Sequence, residues 1–417
     1  MTTRAAAPAI TEATVRAISQ RHDEPSWLLE RRLSALRAFE AMAMPNVLEE
    51  EWRRTDLAHY DIDAALSAPD EGLVSNSELI CEDLPAGVVC SDLHTAAREH
   101  KALVKQHLHS LVSPTEWKLG ALEAAAWEGG AFIYIPRNVE VQLPIRHVLQ
   151  LAGPRLFPHL LVIAEANSSV TILQESSGEP PSGWSLLSGA VEIVCAPDAR
   201  VRFVDVQRLG EGGTCAFSTM RGNLGHGSEL SATLIGVGGL ISRTKLEITL
   251  AGEGSRAELL GLTYGAGKQH FDYITLQDHI APKTSSDLLF KAALDGEASE
   301  VWNGTVRIGQ GASQSEANQT SRNLLLSEHA RAAPIPVLEI EAYDVLRCSH
   351  GATAGPLDEE QLFYLESRGI SAGEAQRLLV DAFFRQVLDR VPSESLQVSV
   401  EGALRAKLQT LSVEKDA

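Results

Sequence analysis

Aromatic residues make up only 5% of this 417-residue chain, although 44% of it is hydrophobic. Any sizeable core must therefore be built mostly from Ala, Val, Leu and Ile. Cationic residues are also in short supply: 36 Lys and Arg stand against 55 Asp and Glu, a formal charge of −19. Such a surface repels phosphate backbones and anionic lipid, so neither nucleic acid nor membrane is expected as a partner. No apolar run approaches the roughly 20 residues of a membrane helix. Met1 to Gln20 has no apolar signal core, and Glu12 and its shortness argue against a transit peptide. A cytoplasmic protein is expected.

Cysteine is scarce as well. Cys81, Cys90, Cys195, Cys215 and Cys348 are odd in number and widely spaced. No two have the two-residue gap of a zinc knuckle or redox motif, and a reducing compartment fits this usage. A phosphate loop is missing too. Gly265-Ala266-Gly267-Lys268 comes nearest, but Gln269 stands where Ser or Thr would hold Mg²⁺, and Leu262 replaces the leading glycine. ATP binding by this chain is not expected. The Gly-x-Ser-x-Gly elbow, the His-Glu-x-x-His zinc helix and the dinucleotide fingerprint are absent.

What is present falls into three parts, 1–125, 126–352 and 353–417. The first reads as helical. Glu24-Pro25-Ser26 opens a helix whose apolar stripe is Trp27, Leu28, Leu29, Leu33, Leu36, Phe39 and Met42, with Arg31, Arg32 and Arg37 expected on the surface. Pro45 stops it. Glu50 to Asp56 reads as a solvated turn anchored by Trp52.

Beyond Gly129 the period changes to that of strands. Alternation is plain in Val201-Arg202-Phe203-Val204-Asp205-Val206 and Lys245-Leu246-Glu247-Ile248-Thr249-Leu250. No amphipathic helix interrupts the region to about residue 350, which excludes a βαβ sheet. Small polar turns precede strands at Asn167, Asp198, Gly227 and Gly254, then after a wider gap at Gly296 and Ser327. A period near 30 residues suits stacked coils of a β-helix, with a sandwich as the alternative. After 350, Leu357 to Leu365 reads as a short helix, Gly369 as its cap, and Ser371-Ala372-Gly373-Glu374 as the start of another. Its expected apolar residues are Ala375, Leu378, Leu379, Ala382, Phe383, Val387 and Leu388. A last helix is expected over roughly 393 to 411.

Several constellations could carry chemistry. His270, His279 and His350 form a loose set, and His270 and Asp272 share a strand face. Glu339, Glu341 and Asp344 offer carboxylates, which on an acidic protein read first as surface groups. Cys348 and His350 stand two apart, on one face of a strand and roughly 7 Å from each other. A thiol and an imidazole suit a soft-metal or sulfur site, but two ligands do not complete one. Buried packing explains the pair equally well.

Four ordered segments resemble the SufB/SufD family of iron–sulfur cluster assembly proteins. They are Ser321 to Ser327, Pro336 to Ile340 with Asp344-Val345, Cys348 to Gly355, and Leu357 to Ile370. Pro25 to Phe39 and Glu51 to Thr55 are similar to the family's N-terminal region. The run Cys-Ser-His-Gly-Ala-Thr is SufD-like, because Gly351 stands where SufB-like members carry a glutamate.

The resemblance implies a mainly β fold, a right-handed parallel β-helix flanked by N- and C-terminal helices. It implies a non-enzymatic scaffold subunit of a SufBCD complex, paired with a SufB-like paralogue and served indirectly by a cysteine desulfurase; a homodimer in isolation is the other assembly it allows. A SufC-like ABC ATPase would dock on the C-terminal helices, through Leu362, Phe363, Tyr364, Leu365 and Arg368. Cys348 and His350 would face the SufB-like partner, sharing a transient iron–sulfur cluster with no cofactor stably bound. The alternatives are a SufB-like primary scaffold and a β-solenoid carbohydrate-active enzyme.

Overall fold

The computed structural model describes residues 10–68, 76–178 and 183–391, with 397, 398, 401, 402, 404 and 407. The helix expected over 393 to 411 lies largely outside the described residues. Helices α1 (Glu12–Arg21), α2 (Ser26–Ala41) and α3 (Ile62–Ser67) come first. Strands β1 (Asn76–Ile80) and β2 (Val89–Asp92) follow, then α4 (Leu93–Glu99), α5 (Lys101–His107) and α6 (Lys118–Ala126).

A long series of strands comes next. It opens with β3 (Ala131–Ile135), β4 (Ile145–Gln150), β5 (Arg155–Leu156), β6 (His159–Ala164), β7 (Ser169–Gly178) and β8 (Ser185–Cys195). It continues with β9 (Arg200–Leu209), β10 (Thr214–Leu224), β11 (Glu229–Gly236), β12 (Ile241–Leu250), β13 (Arg256–Gly265) and β14 (His270–His279). The last are β15 (Ser285–Leu294), β16 (Ser299–Ile308), β17 (Glu316–Leu325), β18 (Arg331–Ile340) and β19 (Arg347–Pro356). Helices α7 (Glu359–Ser367) and α8 (Ala372–Leu388) complete the order.

From β6 onward the main strands alternate between two sheets. The odd sheet runs β1-β4-β7-β9-β11-β13-β15-β17-β19, and the even sheet runs β2-β3-β6-β8-β10-β12-β14-β16-β18, with β5 beside β8. Within each sheet the strands pair in parallel, one coil apart. Leu230, for example, stands between Val201 and Ala257. This is the expected β-solenoid. Among the described residues only β1 on β4 and β2 on β3 pair antiparallel, and they finish the N-terminal end of both sheets.

Inward rows such as Val170, Val201, Leu230 and Ala257 fill the interior. Stacked coils leave a narrow space, and aliphatic side chains fill it. That accounts for a large core with few aromatics.

Both outer faces are also covered. Leu161, Ile163, Leu186 and Phe217 of the even sheet join Trp27, Leu36, Leu122 and Trp127 of the N-terminal helices in one cluster. On the odd sheet, Val204, Ile235, Leu260 and Leu262 meet Val380, Phe384 and Val387 of α8.

The coil corner explains the sequence repeat. Asn138, Asn167, Asp198, Gly227, Gly254, Lys283 and Gln314 all have φ between 57° and 73°. The N–H of each of the seven donates to a carbonyl one coil further on, as Asn167 does to Pro197 at 2.9 Å and Asp198 to His226 at 2.8 Å. Gly, Asn and Asp tolerate this left-handed backbone. Lys283 and Gln314 carry no such signal, so the repeat seemed to skip. Gly296 and Ser327, which appeared to resume it, belong to the opposite corner, leading into the even sheet.

Three local expectations are corrected. Arg32 is not on the surface: its side chain is fully buried, 2.7 Å from the equally buried Glu24 and stacked over Trp127. The segment Glu50 to Asp56 is more than a solvated turn. Trp52 is buried beneath Arg243, and the Thr55 hydroxyl donates to Asp272. Cys81 and Cys90 are joined as a disulfide, because β1 and β2 cap neighbouring edges of the solenoid. Nine residues of separation gave no sign of it. No helix among the described residues is long and apolar enough to cross a membrane.

Candidate functional site at the open end of the solenoid

The N-terminal end of the solenoid is closed by antiparallel strands; among the described residues no such strand closes the C-terminal end. Strands β18 and β19 each pair on one side only among the described residues. Their free edges carry unpaired backbone groups, which natural proteins ordinarily cover. Ile340, Tyr343 and Leu346 stand exposed where β18 turns into β19.

Register places the candidate residues at this end. On β17, Ala317, Gln319, Ser321 and Asn323 form the buried inward row. Strand β19 stacks Cys348 on Ala317 and His350 on Gln319. The thiol and imidazole therefore share the inner face of the last strand. Ser349 points the other way, its hydroxyl donating to Asn318 at 2.8 Å.

Cys348 is half-buried against Val306, Ile308, Ala317 and Leu338. That burial pushes its thiol up, favouring the protonated form. His350 is exposed. Beneath it, neither amide atom of the buried Gln319 side chain has a hydrogen-bond partner, and the Asn323 side-chain oxygen is also unpartnered. Each such atom costs about 1–3 kcal/mol. The end thus presents an imidazole, a thiol and unsatisfied amides on one face. Sequence reasoning missed Gln319 and Asn323, because only coil stacking brings them under β19.

A Cβ added at Gly351 would meet nothing within 4 Å. Packing therefore does not demand glycine there, and the lack of a carboxylate is a chemical feature of the site.

The C-terminal helices lie elsewhere. Asp358 caps α7, accepting from the N–H groups of Glu360 and Gln361. Gly369, at φ 88°, ends it, and Ser371 caps α8. Leu362 and Leu365 are half-buried, whereas Phe363 and Tyr364 are 72% and 57% exposed. Arg368 is exposed, its guanidinium 5.2 Å from the centre of the Tyr364 ring.

Helix α8 is firmly seated. Lys291 donates to the Phe383 carbonyl at 2.6 Å, and Arg390, just beyond the helix, pairs with Glu258 and Asp287 at 2.6 Å. Its buried row is Ala375, Val380, Phe384, Val387 and Leu388, with Leu378 exposed. Of the expected apolar residues, Leu379 and Phe383 are half-buried, Phe383 packing at the edge of the same cluster, while Val380 and Phe384 take the fully buried positions beside them.

His270 and His279 do not assemble with His350. His270 and Asp272 face the N-terminal segment. The His270 Nε2 lies 3.0 Å from the Thr55 hydroxyl, and Asp272 pairs with Arg243. They anchor that segment. His279 is at the far end of the same strand, between Thr284 and Ser286, and burial pulls its imidazole down to about 4. Glu339, Glu341 and Asp344 are exposed at the rim.

A family model of the SUF system FeS cluster assembly SufBD core domain matches residues 147–383. A second, of the SufBD protein N-terminal region, matches residues 71–147. The iron–sulfur cluster assembly protein SufD of Bacillus subtilis is 29% identical, over 96% of this chain and 98% of its own length. An iron–sulfur cluster assembly SufBD family protein of Staphylococcus haemolyticus is 28% identical, over 92% and 90%. A counterpart in Staphylococcus aureus is 27% identical over the same shares. The core-domain match spans more than half of the chain, so the chain belongs to the SufBD family of iron–sulfur cluster assembly proteins.

Proposed function

We propose that this chain is the SufD-like scaffold subunit of a SufBCD-type complex. It would hold one half of a cluster-assembly site while a SufB-like paralogue holds the other. The observation that carries this reading is the open end of the solenoid. Two strands whose edges are uncovered among the described residues put His350 at the surface and the half-buried Cys348 on the same strand face, above the buried and unsatisfied Gln319. A second solenoid end would cover the edges and supply the missing ligands. The nascent cluster is cargo: a thiolate and an imidazole hold it only together with partner groups.

The working anatomy is an N-terminal part, 1–125, a solenoid, 126–352, and a C-terminal part, 353–417. In the last of these, Leu362, Phe363, Tyr364, Leu365 and Arg368 would meet a SufC-like ATPase. That ATPase would supply the hydrolysis for which this chain has no phosphate loop, and a cysteine desulfurase would supply sulfur upstream. Gly351 supports the SufD-like role over that of primary scaffold. Exposed carboxylates without a convergent pair give the carbohydrate-active alternative nothing to stand on.

Co-expression with a SufB-type and a SufC-type protein tests the reading. Purification through a tag on this chain is expected to recover both. Recovery of this chain alone, from cells that contain both partners in soluble form, would refute it.

A further inference from the structure

Far from the open end, four ionisable side chains are buried where the N-terminal helices meet the even sheet. His159 opens β6 with its Nδ1 3.0 Å from Glu123 of α6 and its Nε2 3.0 Å from Glu192 of β8. All three side chains are essentially inaccessible to solvent. Glu192 also accepts from the N–H groups of His109, Leu111 and Val112, at 2.6, 2.6 and 3.0 Å. The loop that supplies them folds His109 inward, its φ of 55° in the left-handed region. The His109 ring stands edge-on to that of His159, with centroids 4.6 Å apart.

Both ring nitrogens of His109 are buried and neither has a hydrogen-bond partner. A histidine normally satisfies at least one of them when buried. The loop adopts an uncommon backbone conformation and delivers the ring to two carboxylates and an imidazole, yet nothing there receives it.

We propose that His109, Glu123 and His159 bind a divalent transition-metal ion of the Zn²⁺ type. Their ligand atoms already lie within 4.8 Å of one another. Metal–nitrogen bonds of ~2.0–2.1 Å bring tetrahedral ligand atoms to about 3.3 Å apart, so the set must tighten. His109 is the member whose ring no hydrogen bond restrains. His159 would bind through Nδ1 while its Nε2–H donates to Glu192. A ligating histidine whose second nitrogen is fixed by a carboxylate is the usual supporting arrangement for such ions. Two nitrogens and one carboxylate oxygen suit Zn²⁺ and similar ions better than Ca²⁺ or Mg²⁺.

Charge balance points the same way. A carboxylate stands at each ring nitrogen of His159, Glu123 at Nδ1 and Glu192 at Nε2. The nearest buried cation, Arg32, is already paired with Glu24. A divalent ion in place of the proton on Nδ1 leaves the group neutral. Such a site would lock the N-terminal helices to the solenoid, separately from the assembly site at its far end.

The test uses the full chain carrying Cys348→Ser and His350→Ala, so that the open end cannot contribute. After treatment with chelator, titration with Zn²⁺ is expected to show one site per chain and a rise in thermal midpoint. His109→Asn should abolish the site without loss of fold, since the ring makes no hydrogen bond and Asn tolerates the left-handed backbone. Glu123→Gln should abolish it too, and Glu192→Gln should weaken it about 10- to 100-fold. Co²⁺ substitution should give a visible spectrum without thiolate charge transfer. Absence of binding, binding unchanged in His109→Asn, or a thiolate band would each overturn the proposal.

Discussion

Glu24→Ala is expected to lower the free energy of unfolding by about 3–5 kcal/mol, the range for breaking a buried ion pair from one side. Glu24 meets Arg32 at 2.7 Å with both side chains fully buried, and the His94 Nδ1 lies 2.9 Å from the same carboxylate. Arg32 also donates to the Ala125 carbonyl at 3.2 Å and stacks on Trp127, so it cannot swing out to solvent when Glu24 is removed. The pair ties α2 to α6, and through them the N-terminal helices to the even sheet. Replacing both partners by apolar residues, as in Glu24→Leu with Arg32→Met, should recover most of the loss, because no lone charge remains.

The pH dependence has a defined sign. Burial alone would raise the Glu24 carboxyl, but hydrogen bonds from His94 and Arg32 and the Arg32 charge outweigh it and hold it at about 2. A depressed carboxylate contributes stability that is complete above its unfolded value near 4.5 and lost as pH falls toward 2. Urea unfolding at neutral pH and at pH 3 checks both points. A loss below 1 kcal/mol for the single variant would contradict this account of the N-terminal interface.

Phe384→Ala should also cost about 3–5 kcal/mol, the usual range for truncating a fully buried aromatic. Phe384 is 1% exposed and packs with Val204, Ile235 and Leu260 beneath α8. Its loss should loosen α8 and, with it, the adjoining α7. Phe363→Ala gives the matched control. At 72% exposed, Phe363 contributes little to stability, so its removal should leave the free energy of unfolding within about 0.5 kcal/mol of the parent. If α7 is the ATPase contact, Phe363→Ala nevertheless weakens capture of that partner, while Phe384→Ala weakens it only through the fold. Unchanged capture with Phe363→Ala would remove α7 from the docking surface.

The solenoid was readable because its outlines are local. Alternation marks each strand, and Asn167, Asp198, Gly227 and Gly254 mark four successive corners with residues that accept a left-handed backbone. Lys283 and Gln314 do the same work with side chains that give no hint of it, so the count of coils could not be completed from the repeat. Contacts made by distant segments were hidden. Arg32 looked like any surface arginine until Ala125 and Trp127 closed over it. The Cys81–Cys90 pairing needed two cap strands to be brought together.

At the site, the SufB/SufD resemblance drew attention to Cys348 and His350. Their shared inward face was legible from spacing, but the unsatisfied Gln319 beneath His350 required the stacking register. The grouping of His109, Glu123 and His159 spans 50 positions of sequence and three separate elements, and no local pattern announces it.

The central claim is that the open end of the solenoid is half of a shared assembly site, and cluster yield on the intact complex tests it most directly. Cys348→Ala and His350→Ala, each co-expressed with both partners, should give complexes of normal composition and thermal stability that carry far less iron and acid-labile sulfide than the parent. Parental iron and sulfide content in both variants would place cluster assembly elsewhere and contradict the account.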